Sequence, residues 1–339
     1  MSKFNKESLR IAFTTLGTQL NYPDGQLLEI AANEKHYNAW FTPDSVLQAI
    51  KAIGRMLNEH DLRLWFDKYP FQQHPKRVGL ILAGNIPLVG FHDVLCVLSS
   101  GNYPLIKASS QDARLIGYIL KMLVAIDGNF ADQYSFVERL EKFDAIIATG
   151  SNNTSRYFDY YFGKVPNIIR KNRNSVALLT GNETAEQLHA LGRDIFDYYG
   201  LGCRNVSKLL VPEGYNFNFF FESIEPYEPI INHHKYNNNY GYNKSIYLVN
   251  SDKHFDNGFL LLKEDERLAS PLAVLCYGYY QDLTSAENLL ASQKDNIQCI
   301  VSAAHLNVGT QVVNFGGGQQ PTLWDYADAV DTMQFLTQL

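Results

Sequence analysis

The stretch Val78-Gly79-Leu80-Ile81-Leu82-Ala83, running into Gly84-Asn85-Ile86-Pro87, decides the fold. Six apolar or small residues without alternation read as a strand buried on both faces, the mark of a parallel sheet. A glycine turn follows, then a helical stretch to about Ser99. The same unit recurs. Tyr103 to Ala108 reads as a second strand, and Asp112 to Ile126 as a helix with Leu115, Ile116, Ile119, Leu120 and Leu123 on one face. Ala145-Ile146-Ile147-Ala148-Thr149 is a third strand, entering Gly150-Ser151 and another helix, and Val176 to Leu179 is a further strand. Strands alternating with helices predict a parallel, doubly wound sheet with right-handed crossovers.

Upstream, residues 1–75 read as helical. Thr42-Pro43-Asp44 is a helix start, with threonine at the N-cap and proline in the first turn, and Val46, Leu47, Ile50, Ile53 and Leu57 follow at helical spacing. Downstream, strands are expected at 208–211, 245–249, 259–263, 272–278 and 297–303, with helices near 216–224 and 285–292. Asn232 to Asn243 reads as a polar loop. Trp324 to Leu339 reads as an amphipathic helix packed through Tyr326, Ala327, Val330, Met333 and Phe335. The expected organisation is α/β. A helical segment (1–75) precedes a first doubly wound domain (76–190), a second (191–320) and a C-terminal helix (321–339).

The 339 residues are 46% hydrophobic and 19% charged, with a formal net charge of −6. That composition supplies an ample core and argues against a non-specific nucleic-acid binder. No apolar run approaches the ~20 residues of a membrane span, and the first residues hold no signal-peptide core. Cys96, Cys203, Cys276 and Cys299 are widely spaced, with no CxxC pair. They read as reduced thiols of a cytoplasmic protein rather than a disulfide framework or zinc site. His233-His234 has no third ligand at regular spacing, so no metal is expected.

Three features carry chemistry. Cys203 lies in Tyr198-Tyr199-Gly200-Leu201-Gly202-Cys203-Arg204-Asn205, between a helix-like run and the strand-like Lys208 to Pro212. A thiol on such a junction can act as a nucleophile, although small buried cysteines beside glycine turns are common. The strand–glycine–helix junctions at Gly84 and Gly150 stand where open α/β sheets bind ligands and where helix N-termini favour phosphate. Neither is a GxGxxG or GKS/GKT loop, and ordinary βα turns look the same.

Taken in order, Gly84-Asn85-Ile86-Pro87, Lys107-Ala108-Ser109-Ser110, Thr149-Gly150-Ser151, Gly200-Leu201-Gly202-Cys203 and Phe315-Gly316-Gly317 resemble the aldehyde dehydrogenase superfamily. More closely they resemble its acyl-CoA reductase (LuxC-type) branch. Ala83-Gly84-Asn85-Ile86-Pro87 with Gly90-Phe91-His92-Asp93-Val94-Leu95 is particularly like that branch, and the resemblance covers roughly residues 76–320. It implies Cys203 as the nucleophile, with the Asn85 amide and the Cys203 backbone N–H as oxyanion donors. It implies Lys107, Ser109, Ser110, Gly150, Ser151, Glu266 and Phe315 as contacts of a nicotinamide cofactor. Their ordinary readings are a turn residue, strand-end polar groups, an N-cap and core.

Two departures refine what the resemblance implies. Hydrolytic relatives carry a glutamate base before the catalytic loop, whereas residues 160–182 contain no Asp or Glu. Without a base to activate water, a cysteine thioester survives to receive hydride. Ser110 stands where NAD-preferring relatives carry an acid, so NADPH is expected, with NADH as the alternative. The expected reaction is reduction of an acyl-CoA or acyl-carrier-protein thioester to a fatty aldehyde. A separate acyl-protein synthetase would be a partner, and an oligomer formed by exchange of β-arms stays open. Two other readings also stay open. One is a Cys-dependent acyltransferase or thioesterase using His92, His189 or His305 as base. The other is a catalytically inactive nucleotide-binding protein in which Cys203 is buried.

Overall fold

The computed structural model describes residues 4–339, which divide into two compact units. The first contains the residues up to Asn172 and Pro321–Leu339; the second is Arg173–Gln320.

The first unit opens with four helices: α1 (Lys6–Asn21), α2 (Gly25–Asn33), α3 (Pro43–Met56) and α4 (Glu59–Lys68). Each starts on a side chain that accepts a backbone N–H, from Asn5, Asp24, Thr42 and Asn58 respectively. Leu9, Phe13, Leu16 and Leu20 form the buried stripe of α1. A five-stranded parallel sheet follows, built from β1 (Arg77–Ile81), β2 (Tyr103–Lys107), β3 (Ser135–Phe136), β4 (Ala145–Thr149) and β5 (Asn167–Arg170). Helices α5 (Phe91–Ser99), α6 (Ala113–Ile126) and α7 (Asn152–Phe162) connect them. The strand order β3-β2-β1-β4-β5 reverses direction between β1 and β4. That reversal is the place where doubly wound sheets open a ligand crevice, at the carboxyl ends of the strands.

In the second unit, β6 (Asn174–Leu178) leads through α8 (Ala185–Phe196) to β7 (Val206–Pro212). Helices α9 (Phe217–Ile224) and α10 (His234–Val249) follow, then β8 (Phe255–Asp256), β9 (Leu261–Glu264), β10 (Val274–Tyr280), α11 (Leu283–Ser292), β11 (Ile297–Val301) and β12 (Val312–Val313). The sheet order is β12-β11-β6-β7-β10-β9-β8, parallel except for the β8–β9 pair. The α/β, doubly wound class is as the sequence implies.

Three local expectations are corrected. Most of the polar loop expected at 232–243 and the strand expected at 245–249 form one helix, α10, which starts at His234. Its buried residues Tyr236, Tyr240, Asn243 and Tyr247 recur at helical spacing, so tertiary packing overrides the poor propensity of its asparagines. Leu248 and Val249, which suggested a strand, are exposed. The helix over Trp324–Leu339 shrinks to Thr332–Thr337, because Asp328 and Ala329 adopt left-handed φ values of 60° and 55°. Val330 is exposed there, whereas Tyr326 and Met333 are buried as expected. Strand β5 went unread, and β6 hydrogen-bonds to β7 and β11, so the second unit begins at Arg173 rather than near 191.

Within the first unit, the C-terminal segment is held to the preceding residues by polar contacts. Trp65 Nε1 donates to Tyr326 OH (2.7 Å), Tyr69 OH donates to Asp331 (2.7 Å), and Asn102 Nδ2 donates to the Leu336 carbonyl (3.0 Å). Arg170 pairs with Asp93 at 2.5 Å and donates to Thr332 Oγ1 at 3.1 Å, with both charged side chains buried.

Candidate functional site

Cys203 is exposed, on the loop that enters the amino end of β7. The loop is bent by three consecutive left-handed residues, Tyr198 (φ 54°), Tyr199 (φ 60°) and Gly200 (φ 76°). Left-handed backbone in two tyrosines carries strain that the surroundings must hold in place. Asn205 supplies much of that hold. Its side-chain oxygen accepts the Gly202 N–H at 2.8 Å, and its Nδ2 donates to the carbonyls of Asp194 (3.1 Å) and Asp197 (2.8 Å). One buried amide thus caps the end of α8 and fixes the residue before Cys203. Behind the loop, Ser175 Oγ donates to the Cys203 carbonyl at 3.0 Å. Tyr199 packs its ring on His233 at 4.3 Å.

A second buried group links this loop to the glycines at 316–318. The Asp194 carboxylate accepts the N–H of Gly316 (2.6 Å) and of Gly318 (2.7 Å). Burial pushes its pKa up to about 6, against those two hydrogen bonds, which favour the charged form. Arg204, next to Cys203, donates to the Gly318 carbonyl at 2.5 Å and to Gln311 at 3.1 Å. Phe315 is half-buried against the core beside α8. Glu266 is exposed, on the segment that follows β9, at the rim of a cavity of about 830 Å³ that does not include Cys203.

The other sequence-predicted residues lie in the first unit, at the carboxyl edge of its sheet. Asn85 is exposed on the turn after β1. Gly84 lies against Ser109, and a β-carbon at position 84 would collide with Ser109 Oγ. The Leu82 N–H donates to the Lys107 carbonyl at 3.1 Å, which joins the ends of β1 and β2. Lys107 and Ser110 are exposed. Gly150 and Ser151 follow β4, and Ser151 Oγ accepts the Thr154 N–H at 3.2 Å as N-cap of α7. Gly84, Lys107, Ser109, Gly150 and Ser151 therefore share the reversal point of the sheet. The N-terminus of α7 and the exposed Lys107 are donors suited to a phosphorylated nucleotide.

The histidines considered as bases have other contacts. His92 is half-buried, with Nε2 on the Leu323 carbonyl (2.9 Å) and Nδ1 facing Cys96 Sγ (3.9 Å); desolvation holds its pKa low. His189 packs on Tyr227. His305 follows the carboxyl end of β11, the opposite edge of the parallel sheet from Cys203. Among the described residues, no group of three His, Cys, Asp or Glu could hold a metal ion, and no helix is long and apolar enough to cross a membrane.

Asn205, Asp194 and Arg204 were not singled out from the sequence. Asp194 had a readable signal, a carboxylate on the apolar face of a helix between Leu191 and Ile195. Asn205 had none beyond its place two residues after the cysteine.

No protein-family sequence model matches the chain, and no curated protein matches it by sequence. Solved structures do match it in three dimensions. Aldehyde dehydrogenase 21 from Physcomitrella patens, in complex with succinate, superposes with a TM-score of 0.68 at 12% identity, over 99% of this chain and 85% of that one. An NAD-dependent aldehyde dehydrogenase from Sinorhizobium meliloti gives 0.68 at 10% identity, over 92% and 75%. An acetylating aldehyde dehydrogenase from Geobacillus thermoglucosidasius gives 0.64 at 11% identity, over 98% and 91%. The chain therefore has an aldehyde-dehydrogenase-like fold.

Proposed function

We propose that the chain reduces an acyl thioester to an aldehyde, in the manner of the acyl-CoA reductase (LuxC-type) branch that its motifs resemble. The observation that carries this reading is an exposed cysteine on a hydrogen-bonded, strained loop at the head of a central strand, in a fold of the aldehyde dehydrogenase kind. The Cys203 thiolate attacks the thioester carbonyl, the carbon–sulfur bond to the carrier breaks, and the carrier leaves as a thiolate that takes its proton from solvent. Asn85 is assigned as a donor to the oxyanion that develops. Lys107, Ser109, Ser110, Gly150 and Ser151 would hold a nicotinamide dinucleotide, with Glu266 and Phe315 assigned to its ribose. When bound, a reduced nicotinamide supplies hydride to the acyl carbon. Collapse of the resulting thiohemiacetal breaks the bond to Cys203 and releases aldehyde.

Reduction is favoured over hydrolysis by the acids that are missing or occupied. Residues 160–182 hold none. Glu183 spends its carboxylate on the N–H groups of Thr180 and Gly181, at the carboxyl edge of β6, and Asp194 spends its own on Gly316 and Gly318. The absence of an acid at Ser110 favours NADPH.

The test is thioester-dependent oxidation of NADPH, measured across acyl-CoA lengths for wild type and Cys203→Ala. The expected result is turnover that falls by a factor on the order of 10³ or more in the variant. Equal rates, or no turnover at any length, reject the reading.

A further inference from the structure

The second unit contains a cavity of about 830 Å³ against β7 and β10, covered by α11 and the segment after β9. Its size falls within the usual range for a small-molecule site. Val176, Leu210, Leu268, Leu290 and Ile297 contribute apolar walls. Charged groups line much of the rest, among them Lys253, Lys263, Asp252 and Glu264. Lys208 is the buried one of its three lysines: it projects from the middle of β7 and is only 4% exposed.

The surroundings accommodate this lysine without pairing its charge. Its ammonium donates to the backbone carbonyl of Asp265. Two of the nearby acids are engaged elsewhere, Asp265 with Arg267 (2.6 Å) and Asp252 with Lys263 (2.7 Å), while Glu264 and Glu266 are exposed at the rim. Its register partner on β10 is Cys276, and two residues further along stands Gly278, where a β-carbon would lie 3.2 Å from Lys208 Nζ. A larger residue there would crowd the ammonium. Burial holds the Lys208 pKa below its ordinary value. An ammonium has three donors, so two remain for a ligand inside the cavity. A buried cation in an apolar setting is costly unless something compensates it.

We propose that this cavity binds the carboxylate of a medium-chain amphipathic acid, with Lys208 as the head-group anchor and the apolar walls as the chain site. The acids at the rim, Glu264 and Glu266, select a singly charged head over a phosphate by like-charge repulsion. Cys203 does not line the cavity; Glu266, assigned to the cofactor ribose, lies at its rim, and the Lys208 anchor does not depend on that assignment.

Calorimetric titration of the full chain at neutral pH tests this with four probes: octanoate, octylamine, 1-octanol and inorganic phosphate. Octanoate is expected to bind at one site, and the other three at least tenfold more weakly. Lys208→Met, with similar volume and no charge, should weaken octanoate at least tenfold, whereas Cys203→Ala should leave it unchanged. Leu290→Trp, which fills the cavity from α11, should also abolish binding. Three results overturn the proposal: octylamine or phosphate binding as tightly as octanoate, no octanoate binding, or loss of octanoate binding in Cys203→Ala. The head-group series needs no variant, so the test survives if Lys208→Met fails to fold.

Discussion

Asn205 Oδ1 accepts the Gly202 N–H at 2.8 Å, so the residue before Cys203 is fixed by a side chain from the residue two after it. The same amide donates to carbonyls at the end of α8. Asn205→Ala leaves several buried polar groups unpaired. It should cost about 2–4 kcal/mol in urea unfolding, at roughly 1–3 kcal/mol per orphaned group with partial relaxation. Asn205→Asp keeps the acceptor but loses the donors, so it should be at least as destabilising. Both should change the rate at which Cys203 reacts with a thiol reagent under native conditions.

The buried Asp194 makes stability depend on pH in a defined direction. Its folded pKa, about 6, lies above the usual carboxylate value of 3.8, so the native state holds this proton more tightly than the unfolded chain. The contribution is fully present below the lower value and is lost as pH rises through the upper one. Its full size is about 3 kcal/mol, from 1.36 kcal/mol per unit. Asp112 is shifted upward too, by burial, so the informative comparison is between wild type and Asp194→Asn. Between pH 4 and 7 the wild type should lose more unfolding free energy than the variant. An identical pH slope in the two proteins contradicts this account of Asp194.

Cofactor choice is expected to turn on two neighbouring positions of the first unit. Gly84→Ala forces Ser109 to move, and NADPH should bind at least tenfold more weakly by fluorescence titration. Ser110→Asp places a carboxylate where the 2′-phosphate is assigned. It should raise the KM for NADPH relative to NADH by about tenfold or more, on the order of 1.4 kcal/mol of repulsion. An unchanged NADPH/NADH ratio contradicts the role given to Ser110.

The buried Arg170–Asp93 pair, at 2.5 Å, should behave as a unit. Arg170→Met strands a buried carboxylate and should cost about 3–5 kcal/mol, and Asp93→Leu/Arg170→Met should recover most of that loss. A double-mutant cycle by urea unfolding measures the coupling.

The sequence revealed the parts of the fold whose stabilisation is local. Strands β1 and β4 are apolar runs into glycine turns, α3 carries its apolar stripe behind a clear start signal, and α6 is marked by its stripe alone. Helix α10 was illegible because its buried stripe is made of tyrosines set among asparagines. Those tyrosines are satisfied by distant partners: Tyr236 OH on the Phe259 carbonyl and Tyr240 OH on Asp256. The cysteine and its glycine-bracketed turn could be read directly. The groups that hold the turn, Asn205 and Asp194, could not, since their roles depend on carbonyls and N–H groups brought together only by folding. Lys208 looked like an ordinary residue at a strand start until the strand was seen to bury it.

The central claim is that Cys203 carries the acyl group and does not pass it to water. Mixing the protein with one equivalent of an acyl-CoA, without a reduced nicotinamide, and mapping the adduct by peptide mass spectrometry tests it most directly. The account predicts one acyl group on the Cys203 peptide, stable over many minutes and discharged as aldehyde when NADPH is added. Acylation at another residue, or immediate release of free acid with no trapped adduct, contradicts it.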